Sequence, residues 1–295
     1  MERKLTYFIE EDWSGRTIYD FIKARGFSHQ ILLNLKRTAG GIRKNEKEAF
    51  PYQKLEAGDC LQLFLKEETR QNILPVKLDF EIVYEDADLL VVNKPADMPV
   101  HPSLNNHDNT LANACMWYFQ QKQEPFIFRC ISRLDRDTTG LLLIAKNVFS
   151  ASLLTAQMEK RQIHRSYLAL ATGELPESGV IDAPISRREG SAIERCVNRE
   201  CGERAVTHYE RLEYRNGYSL AKIWLETGRT HQIRVHMAYI GHPLPGDYLY
   251  NPGDTVISRQ ALHSAELEFV HPITGERMSF QVELPEDMRR VLWVN

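Results

Sequence analysis

The residue with the most distinctive chemical potential is Asp135, which follows Arg133 by two positions. In an extended segment both side chains project to one side, so the guanidinium favours the ionised form of the carboxylate. The apolar run at residues 141–144 comes shortly afterwards and predicts a buried strand. An ionised carboxylate at the edge of a core can attack an electrophile. Taken alone, however, an Arg-x-Asp pattern is more often a surface ion pair.

A second stretch, residues 227–237, reads Thr-Gly-Arg-Thr-His-Gln-Ile-Arg-Val-His-Met. It predicts that Arg229 lies between the end of a strand and a helix that Thr230 caps, a position suited to a carboxylate or phosphate partner. A structural salt bridge is the alternative for this arginine. Tyr167 falls in the middle of a predicted strand, where it is either a core residue or a ring that stacks on a nucleobase.

Other residues that could bind a metal or a nucleotide lack the required spacing. His231, His236 and His242 are separated by five and six positions, do not share one helical face and have no carboxylate cluster beside them. Hydrogen bonding or packing is the expected role of these histidines. Cys196 and Cys201 have no second pair at zinc-finger spacing, and no glycine-rich phosphate loop occurs. We therefore expect no metal and no cofactor.

The elements that position these residues are predicted from apolar periodicity. Strands are expected near residues 81–84, 89–93, 164–171, 205–213, 218–226, 261–269 and 278–284, and helices near 110–121, 148–160, 230–240 and 286–292. The strict strand–helix alternation of nucleotide-binding folds is missing. The fold class is therefore predicted to be α+β, with a large antiparallel or mixed sheet.

The N-terminal part predicts a small α+β domain of its own. Helices are expected at 17–25 and 28–36, the second capped by Ser28, followed by a glycine turn and a basic strand that carries Arg43 and Lys44. Residues 13–54 contain nine Lys/Arg against three Asp/Glu. This layout resembles the alpha-L RNA-binding motif, with a generic small domain and a solvated basic face as alternatives. The polar segment 67–72 predicts a linker, so the domains are expected at 1–72 and 73–295.

Composition sets limits on the class of protein. The chain has 295 residues, of which 43% are hydrophobic and 26% charged, which excludes extensive disorder. The net charge of −3 argues only weakly against a nucleic-acid binder, because local clustering decides. The N-terminus lacks a signal-peptide layout and no apolar run has the length of a membrane span. The odd number of cysteines, five, favours a cytoplasmic protein with reduced thiols. We also expect a monomer without membrane contact.

Taken together, the motifs resemble those of the RluA-type RNA pseudouridine synthases over about residues 82–285. The order and spacing of the matches make coincidence improbable. Asp97 departs from the family pattern, which usually has Gly there, and Ser132 and Asn251 replace a usual His and Gly. The matching segments are Lys94-Pro95, His101-Pro102, Arg133-Leu134-Asp135 with Thr139-Gly140, Arg165-Ser166-Tyr167-Leu168-Ala169, residues 228–236, Gly246-Asp247 with Tyr250, and Leu262-His263 with Ala265.

The resemblance implies an isomerase that converts specific uridines of structured RNA to pseudouridine. It implies that Asp135 attacks a flipped-out uridine, that Tyr167 stacks on the uracil and that Arg229 pairs with Asp135. The expected RNA contacts are Arg133, Ile233, Arg234, Arg43 and Lys44. The RNA partner is expected to be ribosomal large-subunit RNA, with transfer RNA as the alternative. A non-catalytic RNA-binding protein, and a hydrolase with Asp247 as a second carboxylate, stay open.

Overall fold

The computed structural model describes residues 2–67 and 72–293. The strands are β1 (Glu2–Phe8), β2 (Ile42–Lys44), β3 (Lys47–Glu48), β4 (Cys60–Lys66), β5 (Glu81–Glu85), β6 (Leu89–Lys94), β7 (Arg129–Cys130), β8 (Thr139–Ala145), β9 (His164–Thr172), β10 (Ser178–Asp182), β11 (Ile185–Arg187), β12 (Arg195–Val197), β13 (Val206–Arg215), β14 (Tyr218–Leu225), β15 (Leu262–Val270) and β16 (Arg277–Gln281). The helices are α1 (Ile18–Ala24), α2 (His29–Arg37), α3 (Leu111–Gln121), α4 (Val148–Glu159), α5 (Gln232–Tyr239) and α6 (Glu286–Trp293).

The N-terminal sheet is antiparallel and has the order β1-β4-β2-β3. Ser28 caps α2 as predicted, because its hydroxyl accepts a hydrogen bond from the amide of Ile31 at 3.4 Å. Apolar positions of α1 and α2, among them Phe21 and Leu35, face the alternate residues of β4 that are buried. Two amphipathic helices on one face of a small sheet therefore form a core of their own.

The large sheet is mixed and has the order β10-β13-β14-β9-β15-β8-β6-β5, as the α+β prediction requires. Its neighbours are antiparallel except β8 and β15, which are parallel. Strand β8 is buried along its whole length, because apolar clusters cover both of its faces. Gly140 has a φ of +109°, and a Cβ there would lie 2.2 Å from the carbonyl oxygen of Ser264. Only glycine permits this close pairing of β8 with β15.

Contacts join the two sheets. Phe27 stacks on Phe149 of α4 with ring centroids 3.8 Å apart, and Arg3 of β1 forms an ion pair with Asp88 at 2.6 Å. Residues 68–71 of the predicted linker lie outside the described residues, so the domain boundary stays a prediction. Among the residues described, no helix combines the length and the apolar character that crossing a bilayer requires.

The predicted strands and helices agree with the observed ones to within a few residues, with five additions. Strands β3, β7, β10, β11 and β12 were not predicted, because each is short and none is fully buried. The start of α5 also differs from the prediction. The helix begins after His231, whose φ of +58° is left-handed, and Thr230 is not its cap.

Candidate active site

Asp135 lies in the loop between β7 and β8, and buried cations hold this loop by its carbonyl groups. The ammonium of Lys94, fully buried, donates to the carbonyl oxygens of Pro95, Met98 and Arg136 at 2.7–2.8 Å. The guanidinium of Arg259 donates to the carbonyl oxygen of Asp137 at 3.4 Å. The backbone of residues 136 and 137, directly after Asp135, is thus held by the side chains of Lys94 and Arg259, which are far away in sequence.

The position of Lys94 is electrostatically costly. Burial lowers the pKa of its ammonium to about 7, although the charges of Asp137 and Asp135 act in the opposite direction. Three carbonyl acceptors match the three protons of an ammonium group. The hydrogen bonds therefore favour the charged form, which burial opposes.

The carboxylate of Asp135 forms its closest contact with Arg234 of α5. The distance from Arg234 Nη1 to Asp135 Oδ2 is 3.0 Å. The other two nitrogens of this guanidinium donate to both oxygens of Asp247, at 2.6 and 2.7 Å. Asp247 also accepts from the amides of Leu249 and Tyr250. One buried guanidinium therefore links a fully buried carboxylate to one whose side chain is 29% exposed.

Charges around this linkage keep the guanidinium ionised. Burial alone would lower the pKa of Arg234, but the hydrogen bonds and charge of Asp247, followed by those of Asp135, raise it. Burial lowers the pKa of His231, which the charge of Asp135 opposes and that of Arg234 reinforces. His231 Nε2 lies 3.9 Å from Asp135 Oδ2. The positive charge that faces Asp135 at neutral pH is therefore that of Arg234.

Tyr250 positions the ring of His231. Its hydroxyl accepts a hydrogen bond from the amide of Arg195 and lies 2.9 Å from His231 Nδ1. A hydroxyl can donate one hydrogen bond and accept two, so both tautomers of His231 fit this contact. The contact orients Nε2 towards Asp135.

The structure exchanges the expected roles of two arginines. Arg229 does not pair with Asp135; it forms an ion pair with Glu203 and donates to the carbonyl oxygen of Arg204. Arg234 takes that place, is 2% exposed and is engaged at all three nitrogens, so its contact with RNA stays a prediction. The reason is the left-handed His231, which ends the loop and places Arg234 in the first turn of α5, facing Asp135.

Gln232, which the sequence reasoning missed, holds the loop before α5. Its side-chain oxygen accepts from the amide of Arg229 and the hydroxyl of Thr227, and its amide group donates to Val206 and Thr207 of β13. It is 3% exposed. The signal in the sequence was a glutamine within the predicted helix 230–240. A side-chain amide that is buried in such a helix needs hydrogen-bond partners.

Six predicted site residues line one pocket: Asp135, Tyr167, Arg229, Arg133, Ile233 and Arg234. Leu134, Leu225 and Leu262 add apolar wall that the sequence did not identify. The hydroxyl of Tyr167 has no hydrogen-bond partner within residues 2–67 and 72–293, so the phenol is free to meet a ligand. The pocket volume is about 70 Å³, below the roughly 300 Å³ of common ligand sites, so its walls must separate to admit a nucleotide.

The other predicted RNA contacts differ in position. Arg133 is exposed at the rim of the pocket. The pKa of His101 is lowered mainly by its burial and, to a smaller extent, by the charge of Arg133. Arg43 and Lys44 lie in the N-terminal sheet and do not line the pocket. Lys44 forms an ion pair with Asp59 at 3.1 Å, whereas Arg43 lies over the ring of Phe64.

The side-chain chemistry of the pocket narrows the function. Asp135 is the single carboxylate among the described residues that line it. Asp247 is fully buried and both of its oxygens are bound to Arg234, so it is not placed as the second carboxylate that a retaining glycosidase uses. His236 bonds Thr207 and the carbonyl oxygen of Ala183, which agrees with a structural role.

Away from the pocket, Asp86, Asp88 and His271 are close enough to hold a metal ion. Their atoms are occupied by the protein. Asp88 accepts from Arg3, Asn147 and Ser150, and Asp86 accepts from two backbone amides, the hydroxyl of Tyr84 and His271. We describe this as a hydrogen-bonded cluster that connects the two sheets.

The pocket thus brings together an aspartate, a buried arginine and a tyrosine beside the mixed sheet, and comparison with known proteins identifies the family. The family model described as RNA pseudouridylate synthase matches residues 88–239. The chain therefore belongs to the RNA pseudouridine synthase family and is an isomerase that acts on RNA.

Individual relatives agree. The chain is 36% identical to the uncharacterised RNA pseudouridine synthase YjbO of Bacillus subtilis, covering 94% of this chain and 98% of that protein. It is 37% identical to ribosomal large subunit pseudouridine synthase D of Yersinia pestis, covering 87% of this chain and 82% of the relative. Among solved structures, human RNA pseudouridylate synthase domain containing 1 is similar with a TM-score of 0.59 and 28% identity, over 70% of this chain and 83% of that one.

Proposed function

We propose that this pseudouridine synthase modifies ribosomal large-subunit RNA and that Asp135 is its nucleophile. The observation that carries the proposal is the unequal use of the two carboxylates bound to Arg234. Within residues 2–67 and 72–293, Asp247 accepts four hydrogen bonds, whereas Asp135 accepts one and faces the pocket. A carboxylate that is charged, oriented and incompletely solvated is suited to attack.

The reaction needs a uridine removed from its stack, because the atoms that exchange partners are inaccessible in a duplex. Asp135 attacks the flipped nucleotide, at ribose C1′ with uracil leaving or by a related route. On the C1′ route the N1–C1′ bond breaks as the carboxylate bonds to C1′. The uracil then turns and its C5 attacks C1′, so the C5–C1′ bond forms as the bond from C1′ to Asp135 breaks. The C5 proton leaves and N1 gains a proton, which makes the overall change an isomerisation.

The pocket residues have separate roles in this proposal. Tyr167 stacks on the uracil, and its unpartnered phenol is available at the proton of C5. Ile233 forms apolar wall beside it. Arg133, exposed at the rim, occupies the space that the nucleotide leaves or holds the displaced strand. Arg43 and Lys44 contact RNA farther from the pocket, on the N-terminal sheet.

The choice of ribosomal RNA rests on the relatives whose names specify the large subunit. Transfer RNA is the second candidate. Tritium release from RNA labelled at uridine C5 distinguishes them, with large-subunit RNA and transfer RNA as parallel substrates. We expect release from large-subunit RNA without free uracil; release from transfer RNA alone would reverse the choice.

The nucleophile is tested with Asp135→Asn, which we expect to lower release about 10⁴-fold or more while RNA binding persists. Asp97→Asn is a matched control, because Asp97 is a nearby aspartate that is 83% exposed at its side chain. Asp97 also has a left-handed φ of +55°, a conformation that asparagine tolerates. Equal release by Asp135→Asn and the native chain would refute the assignment.

A further inference from the structure

A groove of about 570 Å³ adjoins the catalytic pocket and is not used in the chemistry above. It begins at Tyr167 and Leu225, which also line the pocket, and follows the ends of β9 and β14 to Trp224. We call it the strand-end groove. Its volume lies within the range of small-ligand sites, so it has room for a nucleotide.

Trp224 presents an indole at the far end of this groove. The side chain is 40% exposed, although tryptophan is usually more deeply buried. One face of the ring stacks on His208, with centroids 5.5 Å apart and an interplanar angle of 6°. His208 is in turn 3.0 Å from Glu226 through Nε2. His208 thus packs against one face of the indole, and the remaining part of the ring is accessible to a ligand.

The two sides of Trp224 differ in charge. On the side of the groove lie Arg161, His164 and Arg165. The one carboxylate among the described lining residues, Glu226, forms an ion pair with Arg161 at 3.6 Å, so the lining keeps an excess of positive charge. On the other side the surface carries Glu174, Glu177, Glu210 and Glu213, with Arg211 bound to the first of them. A polyanion is therefore attracted along the groove and repelled beyond the indole.

We propose that the strand-end groove binds a nucleotide that flanks the target uridine, with its base stacked on Trp224 and its phosphate near Arg161 and Arg165. The inference rests on the proposed function, because it requires a uridine at Tyr167. Stacking on an aromatic ring next to a cationic groove is how proteins hold single-stranded RNA with little base preference. Trp224 pairs with Ser166 and Tyr167 with Ile223, so the side chains of Trp224 and Tyr167 project to opposite faces of the sheet. The bound strand therefore passes around the strand ends between them.

Kinetics with matched variants test the stacking. Trp224→Leu keeps an apolar side chain without the ring, and we expect it to raise KM for RNA roughly tenfold with kcat nearly unchanged. Trp224→Phe keeps a ring and should restore most of the affinity. Trp293→Leu is the control, because Trp293 is 41% exposed but lies on α6, outside the groove lining. Equal KM values for all four proteins would overturn the proposal.

A direct probe keeps this test separate from catalysis. A short oligouridylate with one internal 2-aminopurine reports stacking by loss of fluorescence. We expect quenching on binding to the native chain and to Asp135→Asn, and much weaker quenching with Trp224→Leu. Unchanged quenching in Trp224→Leu would sink the groove assignment whatever the activity. Absence of tritium release from every RNA would instead count against the proposed function, and quenching would still measure the groove.

Discussion

Two clusters of this protein are built from the same residue types and are used differently. In one, Asp135, Arg234 and Asp247 meet beside His231; in the other, Arg3 and Asp88 meet beside Asp86 and His271. Asp88 is 4% exposed at its side chain and accepts four hydrogen bonds. Asp135 is 29% exposed and accepts one.

If Asp135 is the nucleophile, as proposed, the difference lies in the lone pairs that the protein leaves unused. A carboxylate whose oxygens are occupied is less available to an electrophile, and the interactions of Asp88 stabilise the contact between the sheets instead. Asp247 resembles Asp88, although it belongs to the proposed catalytic cluster, because both of its oxygens are bound to Arg234. The comparison therefore distinguishes Asp135 from Asp88 and Asp247 by the number of hydrogen-bond acceptor positions left unfilled, and not by the charges beside them.

The largest effect on stability is expected from Asp247→Asn, which removes the buried charge that anchors Arg234. Breaking a buried pair from one side leaves an uncompensated cation, so the free energy of unfolding should fall by about 3–5 kcal/mol. A loosened guanidinium also misplaces Asp135, and we expect kcat to drop about 100-fold. Urea unfolding and tritium release measure the two effects. Native kcat in a destabilised variant would show that Asp247 does not position the nucleophile.

A smaller and purely structural effect is expected from Asp88→Asn. The substitution keeps the shape of the side chain but weakens the hydrogen bonds from Arg3. The free energy of unfolding should therefore fall by about 1–3 kcal/mol. The value of kcat, measured well below the unfolding temperature, should be that of the native chain. If kcat fell as far as in Asp247→Asn, the two clusters would not be functionally distinct.

Sequence patterns predicted the large elements because apolar periodicity and capping act locally. The predicted buried strand after Asp135 and the predicted cap at Ser28 are both present. Sheet order did not follow from the pattern, because pairing of β8 with β15 joins residues more than a hundred positions apart. In the sequence Trp224 looks like any other apolar strand residue, because its exposure depends on which face of the sheet is covered by other elements.

The sequence could not decide which of two arginines, Arg229 or Arg234, pairs with Asp135. Both follow the strand that ends near Thr227, and either charge would suit Asp135. The left-handed backbone at His231 decides the matter, because it turns the chain just before α5 and directs Arg229 toward Glu203. A single non-glycine residue with positive φ is a tertiary effect that local propensity does not report.

Replacing each arginine by lysine gives the finest test, because charge is kept and the forked geometry is lost. Arg234→Lys cannot serve two carboxylates at once, so we expect a loss in kcat of about 100-fold. Arg229 pairs with a glutamate that is 69% exposed, a kind of ion pair that contributes about 0–1 kcal/mol. Arg229→Lys should therefore keep kcat within about fivefold. Equal losses in both variants would place Arg229 against Asp135 once RNA is bound, because only a contact made in the complex could give a partly exposed arginine that importance.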